Sequence, residues 1–125
     1  MATLIDKDFF ARLNALNDKF AASVPATLAR LRGYQSAFDP DAPDAAIITD
    51  LHQTLHTIAG SAATFGFRVF GHQARSLEQR LRVLMAFETV APNDWRHWLA
   101  ALDDYLNWAE RDARAESFPS GEALQ

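Results

Sequence analysis

The 125-residue chain contains no cysteine. Disulfide bonds, thiolate metal sites, iron–sulfur clusters and cysteine nucleophiles are therefore excluded. The absence is compatible with a reducing compartment. The N-terminus also lacks a basic stretch followed by an apolar one, the pattern of a secretory signal. We therefore expect a cytoplasmic protein.

Long apolar runs and clusters of positive charge are absent as well. No window approaches the roughly 18 to 20 apolar residues that span a bilayer. The net charge is −4 and the isoelectric point about 5.4, and no series of lysines and arginines is suited to neutralising a nucleic-acid backbone. These absences predict a soluble protein that binds neither membranes nor nucleic acid.

The chain has little glycine, and none of it forms a nucleotide-binding motif. The five glycines, at positions 33, 60, 66, 71 and 121, lack the spacing of a phosphate-binding loop. We therefore expect no autonomous kinase activity. The remaining composition, 49% hydrophobic and 22% charged, is typical of a globular protein, and the length suits one domain.

Apolar residues recur at steps of three and four along most of the chain, which is the periodicity of amphipathic helices. Alternation of the kind found in strands is absent. We predict Asp44 as one N-cap, Asn93 or Asp94 as another, and Gly66 as a helix end. Pro25 predicts a strong bend, or a second helix capped by Ser23. The periodic segments cover most of residues 7–37, then 48–65, 70–84 and 95–109.

These segments predict an all-α protein, an antiparallel up-down four-helix bundle with an additional N-terminal helix. We assign residues 1–115 to this domain. Residues 116–125 have no periodic pattern and are predicted to form a disordered C-terminal tail.

His56 stands apart from the apolar stripe of its helix. At about 100° per residue, it lies roughly 130° from the centre of that stripe and should face solvent. Its neighbours on that face are small, except for His52. Gly60 is notable because glycine in a helix interior costs about 1 kcal/mol relative to alanine. A flat surface around an exposed histidine favours close approach by another protein's backbone.

The string from His56 to Gly66, HTIAGSAATFG, resembles the signature of histidine-containing phosphotransfer domains. In that signature the accepting histidine is followed by glycine at the fourth position, then by small residues, and by a hydrophobe and glycine at the ninth and tenth. Gly60, Phe65 and Gly66 match these positions, and the resemblance extends over the helical layout of residues 7 to about 113.

The resemblance implies a phosphorelay intermediate rather than an enzyme. Its His56 would exchange a phosphoryl group reversibly with an aspartate of a response-regulator receiver domain, or receive it from a sensor histidine kinase. No cofactor of its own is implied, because the receiver brings the Mg²⁺ ion. We expect the protein to be a monomer.

The resemblance also implies site residues. Glu78, 22 residues after the histidine, matches a position that often hydrogen-bonds the imidazole and so orients it. The family usually carries lysine where this chain has Ala59, and we hypothesise that Arg75, Arg82 or a protonated His52 supplies the missing charge. The predicted partner-docking surface comprises Ile5, Phe9, His52, Ala59, Gly60, Ala63 and Arg68.

Two alternatives remain open at this stage. The chain could be a bundle that docks a receiver or kinase without transferring phosphate, which the missing lysine makes conceivable. It could also be a metal-binding helical bundle, since His52 and His56 lie four residues apart and could offer two imidazoles to one ion. No adjacent glutamate completes a zincin motif, so we predict no metal site.

Overall fold

The computed structural model describes the backbone of residues 2–119 and the side chains of residues 7–119. This part of the chain contains helices and connecting loops and no strand. The all-α bundle predicted from the sequence is thereby confirmed. Its elements are the helices α1 (Ala2–Ala37), α2 (Ala45–Ser61), α3 (Arg68–Met85) and α4 (Pro92–Asp112), with a 3₁₀ helix at Ala62–Phe65.

Helix α1 runs without interruption through Pro25, so the predicted second helix is wrong and no separate N-terminal helix precedes the bundle. Pro25 is exposed, and two nearby hydroxyls support the backbone around it. Ser23 Oγ donates to the carbonyl of Phe20 at 2.6 Å and Thr27 Oγ1 to the carbonyl of Ser23 at 3.1 Å. Ser23 therefore bonds back into α1 instead of capping a new helix.

Asp44 is the N-cap of α2, as predicted, and its Oδ1 accepts from the Ala46 backbone N–H at 2.8 Å. Gly66 ends the 3₁₀ helix with φ at 88°, a left-handed conformation that favours glycine. The predicted caps of α4, Asn93 and Asp94, are wrong. That helix begins at Pro92 after Ala91, because proline is well suited to the first helical position, where its missing N–H costs nothing.

The core between the helices contains two aromatic side chains whose polar atoms are satisfied by α3. The Trp98 indole N–H donates to the Leu77 carbonyl at 3.0 Å, and the Tyr105 hydroxyl donates to the Phe70 carbonyl at 3.0 Å. Burial raises the pKa of Tyr105 well above its ordinary value, which keeps this hydroxyl protonated as a donor. The largest fully buried side chains are Trp98, Tyr105, Phe70, Leu31, Leu51, Leu55, Leu81, Leu102 and Leu106.

Helix α3 packs tightly against the end of α2 and the following 3₁₀ helix. A Cβ atom on Gly71 would lie 3.0 Å from Ala62 Cβ and 3.5 Å from the Ala63 backbone nitrogen. The 3.0 Å separation is tighter than most real Cβ contacts, so a side chain here would push its neighbour away by a few tenths of an ångström.

The start of the predicted disordered tail is instead packed on α4. The Trp108 indole N–H donates to the Ser117 carbonyl at 2.9 Å, and the Phe118 ring meets the Trp108 ring edge-on at 5.3 Å. These contacts correct the expectation for that part of the tail, while residues 120–125 lie outside the described residues. Within residues 2–119, none of the helices combines the length and the apolar character needed to cross a bilayer.

Candidate functional site

Glu78 is the only charged residue that is buried among the described side chains, with 3% of its surface exposed. It projects from α3 toward α2, and one of its oxygens, Oε2, faces three side chains. His56 Nδ1 lies 3.3 Å away, His52 Nε2 lies 3.2 Å away, and the Arg82 guanidinium donates to the same oxygen. A single buried carboxylate oxygen thus joins two histidines of α2 to an arginine of α3.

The surroundings of Glu78 keep it ionised. Burial opposes the charged form, but hydrogen bonds from Arg82 and His56 outweigh it, so the pKa of Glu78 lies below its ordinary value. A buried carboxylate without such donors would carry a large desolvation cost. At neutral pH Glu78 is therefore an anion that can only accept hydrogen bonds.

His56 has one ring nitrogen in contact with the Glu78 carboxylate, on a side chain that is otherwise exposed. Its side chain is 66% exposed, as the helical wheel predicts. Because Glu78 only accepts, the imidazole nitrogen facing it, Nδ1, is assigned the proton. Nε2 then carries a free lone pair on the exposed ring, which is the arrangement of a nucleophile.

His52 lies one turn before His56, and the two rings are nearly parallel, with centroids 6.1 Å apart. Its Nε2 is close enough to Glu78 for an ion pair, but it has no hydrogen bond of acceptable geometry. We therefore take the contact as electrostatic, present when His52 is protonated. Within the described residues, no group of three or more potential ligands is arranged to hold a metal ion.

The two arginines predicted as phosphate partners are placed differently. The Arg82 side chain is 61% exposed and its guanidinium is bound to Glu78. Arg75 instead crosses from α3 to α2 and donates to the backbone carbonyl of Ala59 at 3.2 Å. Arg82 and His56 share the Glu78 carboxylate, whereas Arg75 contacts no carboxylate in the part of the chain described here.

The predicted docking residues divide into exposed and covered ones. Gly60, Ala63 and Arg68 are exposed, and a Cβ atom on Gly60 would meet nothing within 4 Å. Ala59 is only 9% exposed, so its placement on an open docking face is corrected. Its side chain belongs to the buried core, because the 3.6-residue repeat brings it nearer the apolar stripe of α2 than His56.

The N-terminal half of α1 presents exposed aromatic residues. Phe9, predicted to dock a partner, is 56% exposed, and so is Phe10. Their rings meet edge-on at 5.6 Å. The three-and-four-residue spacing selects Phe9 and not Phe10, so the exposed pair was not predicted from the sequence. Ile5 belongs to α1, but its side chain lies outside the described residues.

Comparison with known protein families decides the identity of the fold. A family model described as the Hpt domain matches residues 15–109. The chain belongs to the Hpt domain family. Hpt domains are phosphocarrier modules of two-component phosphorelays, and the matched segment of this one includes His56 and Glu78. Neither a curated protein nor a solved structure gives a significant match to the chain.

Proposed function

We propose that this Hpt domain accepts a phosphoryl group on Nε2 of His56 and passes it reversibly to or from an aspartate of a receiver domain. A response regulator is the partner in one direction, and a regulator or a sensor histidine kinase is the source. The observation that carries this proposal is the 3.3 Å contact between His56 Nδ1 and Glu78 Oε2, because it leaves Nε2 unprotonated and exposed.

The transfer step needs no proton to move on this chain. The Nε2 lone pair attacks phosphorus, a P–N bond forms, and the acyl P–O bond of the aspartyl phosphate breaks with its electrons going to the leaving carboxylate. The imidazole keeps its Nδ1 proton and gains positive charge, which the Glu78 anion beneath it offsets. The reverse attack by the carboxylate restores neutral His56.

Positioning and charge stabilisation dominate phosphoryl transfer, and the partner would supply much of both. We expect the Mg²⁺ ion to be held by the receiver. The partner's backbone would approach over Gly60 and Ala63, with His52 and Arg68 at the edge, and the N-terminal part of α1, which includes Ile5 and Phe9, would extend the contact. We further propose that the protein acts as a cytoplasmic monomer.

The test is incubation of the full chain with a receiver domain carrying a ³²P-labelled aspartyl phosphate. We expect label on the chain that is stable to alkali and labile to acid, as phosphohistidine is. It should be lost in His56→Gln and retained in His72→Gln, which removes another exposed histidine. Label of equal intensity in the His56→Gln variant would refute the proposed acceptor.

A second candidate is a docking module that binds a receiver without accepting phosphate, and Ala59 in place of the family's usual lysine favours it. The same experiment separates the two functions. A complex with the receiver, detected by a change in NMR shifts around Gly60 and Ala63, together with no transfer of label, would support docking alone. Label on His56 would exclude it.

A further inference from the structure

Helix α2 has no positively charged side chain of its own apart from its histidines. Between Ala45 and Ser61 it contains no lysine and no arginine. A phosphoryl group on His56 would bring close to two negative charges to this helix at neutral pH. On this chain, a permanent positive charge that balances the phosphoryl group has to come from another helix.

Helix α3 is that element, since it carries four arginines and one glutamate in a chain whose net charge is −4. Of these, Arg82 is bound to Glu78, so its charge is already offset by a carboxylate. His52 faces the same oxygen at 3.2 Å. Arg82 is thus paired with Glu78, and His52 carries charge only when it is protonated, so neither supplies a permanent positive charge that is independent of that carboxylate.

Arg75 is placed differently. Its guanidinium donates to the Ala59 carbonyl at 3.2 Å, a neutral acceptor, and Ala59 follows His56 by one helical turn. In the part of the chain described, Arg75 takes part in no salt bridge. A guanidinium has five N–H donors in a planar fork that suits phosphate oxygens, and this bond leaves most of them available.

We propose that Arg75 donates hydrogen bonds to the phosphoryl group on His56 and is the main source of charge for it on this chain, while Arg82 serves Glu78. This inference rests on the proposed function of His56. Arg75 extends from α3, and its guanidinium is bound to the backbone of α2 about one helical turn after His56.

The experiment uses the full chain phosphorylated by phosphoramidate, a small-molecule donor, so that no partner contributes charge. The pKa of the phosphoryl group on His56 is measured by ³¹P NMR titration, with His56→Gln to assign the signal. The variants are Arg75→Gln, Arg75→Lys and Arg80→Gln. Arg80 is an exposed arginine of the same helix that lines the groove toward α4, which makes it the matched control.

We expect Arg75→Gln to raise the pKa of the phosphoryl group, because a donor that favours its dianion is lost. It should also lower the phosphorylated fraction at equilibrium with phosphoramidate about three- to tenfold, the usual size for one charge-assisted hydrogen bond. Arg75→Lys should restore part of both effects and Arg80→Gln should change neither. A merely structural role for Arg75 would leave the phosphoryl pKa unchanged.

Two outcomes overturn different claims. If His56 of the wild-type chain is not phosphorylated, the proposed function is wrong. If His56 is phosphorylated and Arg75→Gln matches Arg80→Gln in both the phosphoryl pKa and the phosphorylated fraction, the proposed role of Arg75 is wrong while the proposed function stands. If circular dichroism shows that Arg75→Gln is unfolded, the role of Arg75 is tested by comparing wild type with Arg75→Lys. A change in the phosphoryl pKa is still expected in Arg75→Lys.

Discussion

Oε2 of Glu78 lies 3.3 Å from Nδ1 of His56, although the Glu78 side chain is 3% exposed and the His56 side chain 66% exposed. The imidazole that we propose as the nucleophile is thus exposed to solvent, while a buried carboxylate fixes its orientation. The carboxylate cannot move without disrupting its contact with Arg82. It therefore fixes the orientation of the His56 ring through Nδ1. Four predictions test this site and the packing that supports it.

Replacing Glu78 by glutamine should redistribute the proton between the two nitrogens of His56. The neutral amide holds the Nδ1 proton less strongly, so a larger fraction of the ring would carry its proton on Nε2 and be unable to attack. We expect transfer from a receiver to slow about tenfold or more. ¹⁵N NMR of the His56 ring gives the tautomer directly. The exposed neighbour Gln79, changed to alanine, is the control, and an unchanged tautomer in Glu78→Gln would contradict the orienting role.

The stability of the fold should fall in acid, in part because of Glu78. Its pKa is lowered in the folded protein, so its contribution is fully present above the unfolded value of about 4.3 and is lost as the pH falls through the lower folded value. The pKa values of Asp103 and Glu110 are also lowered, by hydrogen bonds from Gln35 and Arg32 to the first and from Arg32 to the second. The free energy of unfolding, measured with urea, should therefore decrease less steeply from pH 7 to pH 3 in Glu78→Gln than in wild type. An equal pH dependence in the two proteins would contradict this account.

Arg32 links α1 to α4 by donating to Asp103 at 2.7 Å and to Glu110 at 2.8 Å. Arg32→Gln would leave these carboxylates without their shared cation, and we expect a loss of about 1 kcal/mol in the free energy of unfolding, since the group is partly exposed. The loss should shrink in 1 M salt. Arg30→Gln, an exposed arginine of the same helix, should change stability by less than about 0.5 kcal/mol. Equal effects of the two substitutions would show that the network contributes nothing.

Two glycines near the site should respond in opposite ways to alanine. At Gly71 the new Cβ would lie 3.0 Å from Ala62 Cβ and 3.5 Å from the Ala63 backbone nitrogen. We expect the shift that this contact requires to outweigh the gain in helix propensity, so Gly71→Ala should destabilise the fold by about 1 kcal/mol. At Gly60 nothing lies within 4 Å, so Gly60→Ala should stabilise it by up to about 1 kcal/mol through helix propensity. Thermal unfolding measures both, and destabilisation by Gly60→Ala would mean that this position is more crowded than the structure shows.

Local features of the sequence were sufficient for much of the fold. The three-and-four-residue periodicity predicted the helices because each amphipathic helix has to bury its own apolar stripe. The cap at Asp44 and the helix end at Gly66 were predictable because both depend on backbone geometry within a few residues. The exposure of His56 followed in the same way, from its angle to the stripe of α2.

Other features depended on how two elements meet, and the sequence of one element could not specify them. Pro25 permits either a break or a continuous helix. The structure has the continuous helix, in which Ser23 and Thr27 form hydrogen bonds within α1. Ala59 was expected on the docking face; the helical repeat brings it nearer the core than His56, and Arg75 of α3 contacts its carbonyl. The start of the tail is packed because Trp108 offers it a ring and an indole N–H.

For the site, the sequence by itself determined which residues could act: a histidine facing solvent, small neighbours around it, and a carboxylate and arginines on the following helix. Only the tertiary structure decided how they are paired. The packing of α3 against α2 places Glu78 against both His52 and His56, pairs Arg82 with that carboxylate and brings Arg75 to the Ala59 carbonyl. These pairings depend on the separation and rotation of two helices, which follow from side-chain packing across the interface rather than from the periodicity of either helix.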